Sequence, residues 1–287
     1  MNIVFHGVRG STPCHSPEVQ RYGGNTSCVS LHAPGQAPLV FDLGTGLRYF
    51  GGALHDDVAE INVLVSHLHW DHIQGLPFLP QLQRSDCSVN IWAPAQGDGR
   101  TAHESLDAAI TQPMFPVSLA QFGAKISVFD VKACDELCQW RIGAFDVRAA
   151  DVPHIGPTLG YRVSLEGRSV VYISDHQEPS DSSQFAPEVL ELCDKADVLI
   201  HDAQFTDVDY VGREHWGHCR IDYAFSLAVS AGVATLVLFH HDPSRSDDEL
   251  DAIEAEYKVR GLEHGVEVVV AREGMEMKIP CHADAHA

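Results

Sequence analysis

The chain has 287 residues, 45% of them hydrophobic and 21% charged, which excludes fibrous, collagen-like and disordered classes and leaves enough apolar content for a sizeable core. Nineteen Lys and Arg face 40 Asp and Glu, a formal net charge of −21, so a general duplex-binding role resting on cations that neutralise phosphates is disfavoured. The N-terminus lacks a basic segment leading into an apolar one, and no run approaches the roughly 18 apolar residues of a membrane span, which points to a cytoplasmic protein with no membrane partner.

In chain order, short β-branched runs at 3–5, 28–31, 39–41, 61–65, 89–92 and 126–129 predict strands, followed by others at 161–165, 170–173, 198–200, 236–239 and 266–270. Helical spacing appears at 103–110, 187–195, 221–231 and 247–260. The last of these opens with Ser246 as N-cap and an acid three residues on, and closes at Gly261. The irregular stretch 94–122 is expected to form a loop or flap. Strands packed into sheets with helices outside give an α/β layered architecture. With no repeat or linker to divide the chain, residues 1–280 are expected to be one domain and 281–287 a frayed tail. The eight cysteines, at 14, 28, 87, 134, 138, 193, 219 and 281, are scattered and complete no zinc ribbon, so they are expected to be free thiols.

The 18 histidines call for a location. The run 61–65 leads into Ser66-His67-Leu-His69-Trp-Asp71-His72, four potential ligands within six residues directly after an apolar strand. His67 and His69, two apart, project to one side while the chain is extended; once it turns, Asp71 and His72 can face a second point a few ångströms away. Imidazole nitrogen with carboxylate oxygen suits zinc, and also manganese or iron.

This motif resembles the signature of the metallo-β-lactamase superfamily, and matches follow in that family's order: Asp42-Leu-Gly-Thr-Gly46 before it, then His154, Asp175 and His240. The resemblance implies an αββα four-layer sandwich, the metallo-β-lactamase fold, with two divalent transition-metal ions, zinc first. His67, His69 and His154 would hold one ion, Asp71, His72 and His240 the other, and Asp175 would bridge them. His241 competes with His240 for the last place.

Three further segments resemble the tRNase Z-like phosphodiesterase branch: 196–204 with His201-Asp202, 217–222 with Gly217-His218, and 159–163. By that resemblance Asp202 orients His218 as the acid that protonates the leaving oxygen, although the branch has Glu where Asp202 stands. Two departures matter. Only 20 residues separate His154 from Asp175, and the second half carries no long basic insertion such as the arm with which tRNase Z grips tRNA. The opening Gly7-Val-Arg9-Gly10-Ser-Thr-Pro13 resembles relatives that cleave cyclic nucleotides, with Arg9 suited to one phosphate group.

The sequence therefore predicts a two-metal phosphodiesterase acting on a small phosphodiester, a cyclic nucleotide or cyclic oligonucleotide, with Asp71 orienting the attacking water, His218 protonating the departing alkoxide, and no stable nucleic-acid binding. A tRNase Z-like ribonuclease is the alternative, followed by a lactone or thioester hydrolase and, last, a non-catalytic metal-dependent sensor. Dimers are frequent in the branch, so a homodimer is expected.

Overall fold

A computed structural model describes residues 1–132 and 137–279. The first half supplies β1 (Asn2–Gly7), β2 (Cys28–His32), β3 (Leu39–Phe41), β4 (Glu60–Leu64), β5 (Ser88–Pro94) and β6 (Lys125–Val131). The second half supplies β7 (Cys138–Ile142), β8 (Phe145–Asp151), β9 (Leu159–Leu165), β10 (Arg168–Ile173), β11 (Val198–Asp202), β12 (Thr235–Phe239) and β13 (Glu267–Val270), and β14 (Glu276–Lys278) returns to the first half.

These strands make two seven-stranded sheets, in the orders β14-β1-β2-β3-β4-β5-β6 and β13-β12-β11-β10-β9-β8-β7. In each sheet one side is antiparallel and the other parallel: β3 to β6 run together, as do β10 to β13. Parallel strands need helical crossovers, which cover the outer faces. α1 (Leu47–Ala53), the single turn α2 (Trp70–Ile73) and α3 (Ala102–Ile110) serve the first sheet; α4 (Pro187–Cys193), the short α5 (Asp207–Tyr210), α6 (Ile221–Ala231) and α7 (Asp247–His264) belong to the second half.

The residues sort into three apolar layers. Ile3, Phe5, Leu31, Phe41, Tyr161, Tyr172, Ile200 and Phe239 fill the space between the sheets. Val63, Ile91 and Leu106 pack under the first sheet's helices, and Leu199, Leu227 and Leu250 under those of the second. The result is the expected αββα sandwich.

Several local expectations change. Residues 94–122 contain the capped helix α3, where Thr101 accepts from the Glu104 N–H and the Glu104 carboxylate accepts from the Thr101 N–H, so only part of the stretch is loop. The helix expected to close at Gly261 runs on to His264, because Gly261 sits inside it at a close approach: a Cβ there would lie 2.3 Å from the Val266 carbonyl oxygen. Its Ser246 and Glu249 cap does form. Cys138 is disulfide-bonded, against the expectation of free thiols, whereas Cys14, Cys28, Cys87, Cys193 and Cys219 are free. Cys134, Cys281 and the tail 281–287 lie outside the described residues. Among those residues no helix is long and apolar enough to cross a membrane.

Candidate metal centre

The ends of neighbouring strands converge on one place, as in other open α/β layouts where ligands meet the C-terminal strand ends. β3 is followed by Asp42, β4 leads to His67, β8 to His154, β10 to Asp175, β11 ends at Asp202, and β12 is followed by His240. Asp42 and His240 both leave their strands in the left-handed region, at φ 58°, a conformation non-glycine residues hold only where their surroundings enforce it.

His67, His69 and His154 form one grouping of ligand atoms, and Asp71, His72 and His240 a second, each within 4.8 Å. Asp175 stands between them. Its Oδ1 lies 3.1 Å from His72 Nε2 and 3.4 Å from His240 Nε2, and its Oδ2 lies 3.8 Å from both His67 Nε2 and His154 Nε2. One carboxylate oxygen thus faces each grouping. His218 Nδ1 is 3.6 Å from the same Oδ2, and with Asp175 and His240 it makes a further possible ligand group. His241 is in none of these groupings: its Nε2 is bonded to the Ala271 carbonyl at 2.8 Å.

The second ring nitrogen of the ligating histidines is occupied. Nδ1–H donates to Ser66 Oγ from His67 (3.0 Å), to Asp42 Oδ2 from His72 (2.8 Å), to the Gly217 carbonyl from His154 (2.6 Å) and to Gln204 Oε1 from His240 (3.0 Å). These bonds set the tautomer that leaves each Nε2 lone pair free, as metal ligation needs. His69 is the exception, presenting Nδ1, 3.2 Å from His154 Nε2. Asp71 is held through Oδ2 by the Ser11 N–H at 2.8 Å.

A divalent cation fits. His67 Nε2, His72 Nε2 and Asp175 Oδ1 are buried and have no hydrogen-bond partner, a cost of about 1–3 kcal/mol each that coordination removes. Burial opposes charge on His72, yet Asp71, Asp175 and Asp42 hold its pKa well above the ordinary range. Burial also works against the Asp175 anion, but His240, His72 and His67 hold its pKa well down. The pocket is therefore anionic and lined by imidazoles, the donor set of zinc, manganese or iron.

Beside the cluster, Asp202 is wholly buried and its Oδ2 accepts from His218 Nδ1 at 3.1 Å and from the His176 N–H at 3.0 Å. The shorter Asp side chain therefore still reaches His218. Burial disfavours the imidazolium, but Asp202, aided by Asp175 and Asp71, raises the His218 pKa to about 9.

Arg9 does not belong to the centre. Its side chain is fully buried, Nε donates to the Gly23 carbonyl at 2.8 Å, and Nη1 donates to the carbonyls of Asp242 (3.1 Å) and Arg245 (2.8 Å). A guanidinium so bonded ties two loops together; its remaining Nη2 is buried without a hydrogen-bond partner, 4.0 Å from Asp247 Oδ1, out of reach of a phosphate at the surface. Residues to which sequence reasoning gave no role instead support the ligands: Ser66, Gln204, Gly217 and Asp42.

Residues 40–241 match the family described as beta-lactamase superfamily domain. The Ribonuclease Z of Haloarcula marismortui is 28% identical over 328 aligned positions that cover 97% of each chain. Human tRNase Z, short form, superposes with a TM-score of 0.67 at 22% identity over 98% of this chain and 100% of that one. A diphosphatase of the PhnP family does so with a TM-score of 0.64 at 17% identity over 97% and 98%. The two structural likenesses attest the fold. Because the family match runs from β3 to the residues after β12, enclosing the strand ends on which the ligands stand, the chain belongs to the metallo-β-lactamase superfamily and is a metal-dependent hydrolase.

Proposed function

We propose that the protein is a two-metal phosphodiesterase of the ribonuclease Z kind, which hydrolyses a phosphodiester bond of RNA with water as nucleophile. The observation that carries this reading is the Asp202–His218 pair beside Asp175, supported by likeness to Ribonuclease Z along nearly the whole chain. A departing alkoxide is a poor leaving group and needs a proton, so an oriented imidazole next to the cluster has a specific task there.

Two divalent ions, zinc in the first instance, would be held by His67, His69 and His154 and by Asp71, His72 and His240 with Asp175 shared, and they supply charge neutralisation at phosphorus and a lowered pKa for water. The chain's own groups do the rest. Asp71, fixed by the Ser11 N–H, orients the attacking water. His218, its Nδ1 committed to Asp202, uses Nε2 to deliver the proton. Trp70, Ile155 and Trp216, each next in sequence to His69, His154 or Gly217, remain 57%, 55% and 59% exposed. The two exposed indoles among them, Trp70 and Trp216, suit nucleobases, since stacking needs no positive charge.

A second reading, the small cyclic phosphodiester, is favoured by two observations. Between His154 and Asp175 the chain makes just the β9–β10 hairpin, turning at Glu166 and Gly167, and the whole protein is strongly acidic. The test is a side-by-side assay of a precursor tRNA and cyclic nucleotides with metal-reconstituted protein. Cleavage at the RNA 3′ end is expected. A kcat/KM at least about tenfold higher on the cyclic nucleotide, a difference of about 1.4 kcal/mol, would favour the second reading, and cleavage of lactones or thioesters alone would end both.

A further inference from the structure

Asp175 is followed by three residues whose bonds run to three separate segments. The His176 N–H donates to Asp202. The Gln177 N–H donates to the Pro153 carbonyl at 2.6 Å, one residue before His154. The Glu178 N–H donates to the His218 carbonyl at 3.3 Å, and its Oε2 accepts from the Arg220 N–H at 3.0 Å.

The side chain of Gln177 does something its neighbours do not. Its amide spans the segment before His218, with Nε2 donating to the Glu214 carbonyl at 2.6 Å and Oε1 accepting from the Gly217 N–H at 2.8 Å. The amide orientation follows from those partners, because a carbonyl needs a donor and an N–H needs an acceptor. The residue so held, Gly217, is the one whose carbonyl, in the next peptide unit, receives the His154 Nδ1–H at 2.6 Å. Gly217 lies against the ring itself: at φ 91°, a Cβ there would sit 2.5 Å from His154 Cε1, so only glycine lets the carbonyl come this close.

Core packing does not place this segment. Val211 is 77% exposed and Trp216 59%, and the turn bonds from Arg213 N–H to Tyr210 and from Trp216 N–H to Arg213 are internal to it. The strap after Asp175 thus meets this segment on both sides of the Gly217 carbonyl that sets His154, through the Gln177 amide before it and through Glu178 after it.

We propose that Gln177 is a positioning residue for metal binding, which fixes the tautomer and orientation of His154 by holding the Gly217 carbonyl against its Nδ1–H. The inference rests on His154 being a metal ligand and is independent of which substrate is cleaved. A planar amide is required because it offers one donor and one acceptor together. Glutamate keeps the acceptor for Gly217 and loses the donor to Glu214; methionine keeps the length and loses both.

The experiment is competition for zinc against a chromophoric chelator, using full-length protein and the variants Gln177→Met, Gln177→Glu, His154→Ala and Gln177→Met/His154→Ala. Gln177→Met is expected to weaken one of the two zinc ions by about 10- to 100-fold, the range for loss of a partner behind a ligand, and to leave the other within about twofold. Gln177→Glu should recover part of the loss, and in the His154→Ala background Gln177→Met should add nothing. Wild-type affinity in Gln177→Met, equal weakening of both ions, or an undiminished effect without His154 would each overturn the proposal. If Gln177→Met does not fold, Gln177→Glu carries the same test, with a smaller loss confined to the same ion. Two unchanged zinc ions in His154→Ala would instead end the ligand reading on which the proposal stands.

Discussion

Asp42 Oδ2 lies 2.8 Å from His72 Nδ1, and both side chains are wholly buried. The same oxygen accepts from Tyr172 Oη at 2.8 Å and Ser66 Oγ at 2.9 Å, while Oδ1 accepts from the Ser66 N–H at 2.7 Å. Ser66 in turn receives the His67 Nδ1–H, so one carboxylate orders a histidine of each ligand grouping. A carboxylate that receives four donors is anchored, and it also makes the His72 ring a better ligand.

Asp42→Asn is therefore expected to lower metal affinity by about 10- to 100-fold even though residue 42 touches no metal position. The amide nitrogen must face a donor in either orientation, the Ser66 N–H in one and Tyr172 Oη, Ser66 Oγ and His72 Nδ1–H in the other. Chelator competition checks this, and unchanged affinity would show that His72 holds its orientation without Asp42.

Asp175 belongs to both groupings through its two oxygens, which makes a different prediction from any single histidine. Purified protein reconstituted with zinc or manganese should hold close to two ions per chain, and Asp175→Ala should weaken both together, whereas His240→Ala should weaken one. Elemental analysis and titration decide it. A content that stays near one ion with metal in excess would reject the shared-ligand arrangement.

The centre was legible in the sequence to unequal depth. His67, His69, Asp71 and His72 could be read directly, because four ligands follow one strand within six residues. His154, Asp175 and His240 stand alone in their segments, and only their order along the chain, matched to a family, marked them. Asp42 had no readable role because its partners Ser66, His72 and Tyr172 lie 24, 30 and 130 residues away. Arg9 misled for the opposite reason: small neighbours suggested access to a ligand, and only the fold shows three carbonyls from two other segments closing over it. Among strands, β7, β8 and β14 escaped notice since none is a continuous β-branched run; β7 and β14 lie at a sheet edge and bury little, as in the pattern of Glu276–Lys278, whereas β8 is interior and its apolar run is broken by Asp146 and Arg148.

Acid stability offers a test away from the centre. His6 Nε2 bonds to Ser30 Oγ at 2.8 Å, its ring packs edge-on to Phe50, and burial, with His32 nearby, pushes its pKa down to about 4. The unfolded chain takes up this proton near the ordinary value of about 6.5, so unfolding is favoured as the pH falls from there toward 4, and above that window His6 adds no pH dependence. His6→Gln should lose less stability than wild type between pH 7.5 and 4.5, by on the order of 2 kcal/mol. Urea unfolding with chelator present in both proteins measures the difference, and parallel losses would show that His6 does not carry the effect.

His218 separates proton delivery from metal binding. Its Nδ1 is held by Asp202 at 3.1 Å and lies 3.6 Å from Asp175, close enough that a ligand role and an acid role both deserve a decisive measurement. If it is the acid, His218→Ala should keep two metal ions and lose turnover by about 10² to 10⁴ on a substrate with an alkoxide leaving group, the usual range for general acid catalysis. The loss should shrink on a nitrophenyl phosphodiester, whose leaving group departs without a proton. Asp202→Asn should follow the same pattern, because a neutral partner no longer favours the protonated imidazole. Metal content, then kcat/KM on the two leaving groups, forms the measurement. Equal losses on both substrates with metal retained would remove His218 from proton transfer, and loss of an ion in His218→Ala would place it among the ligands instead.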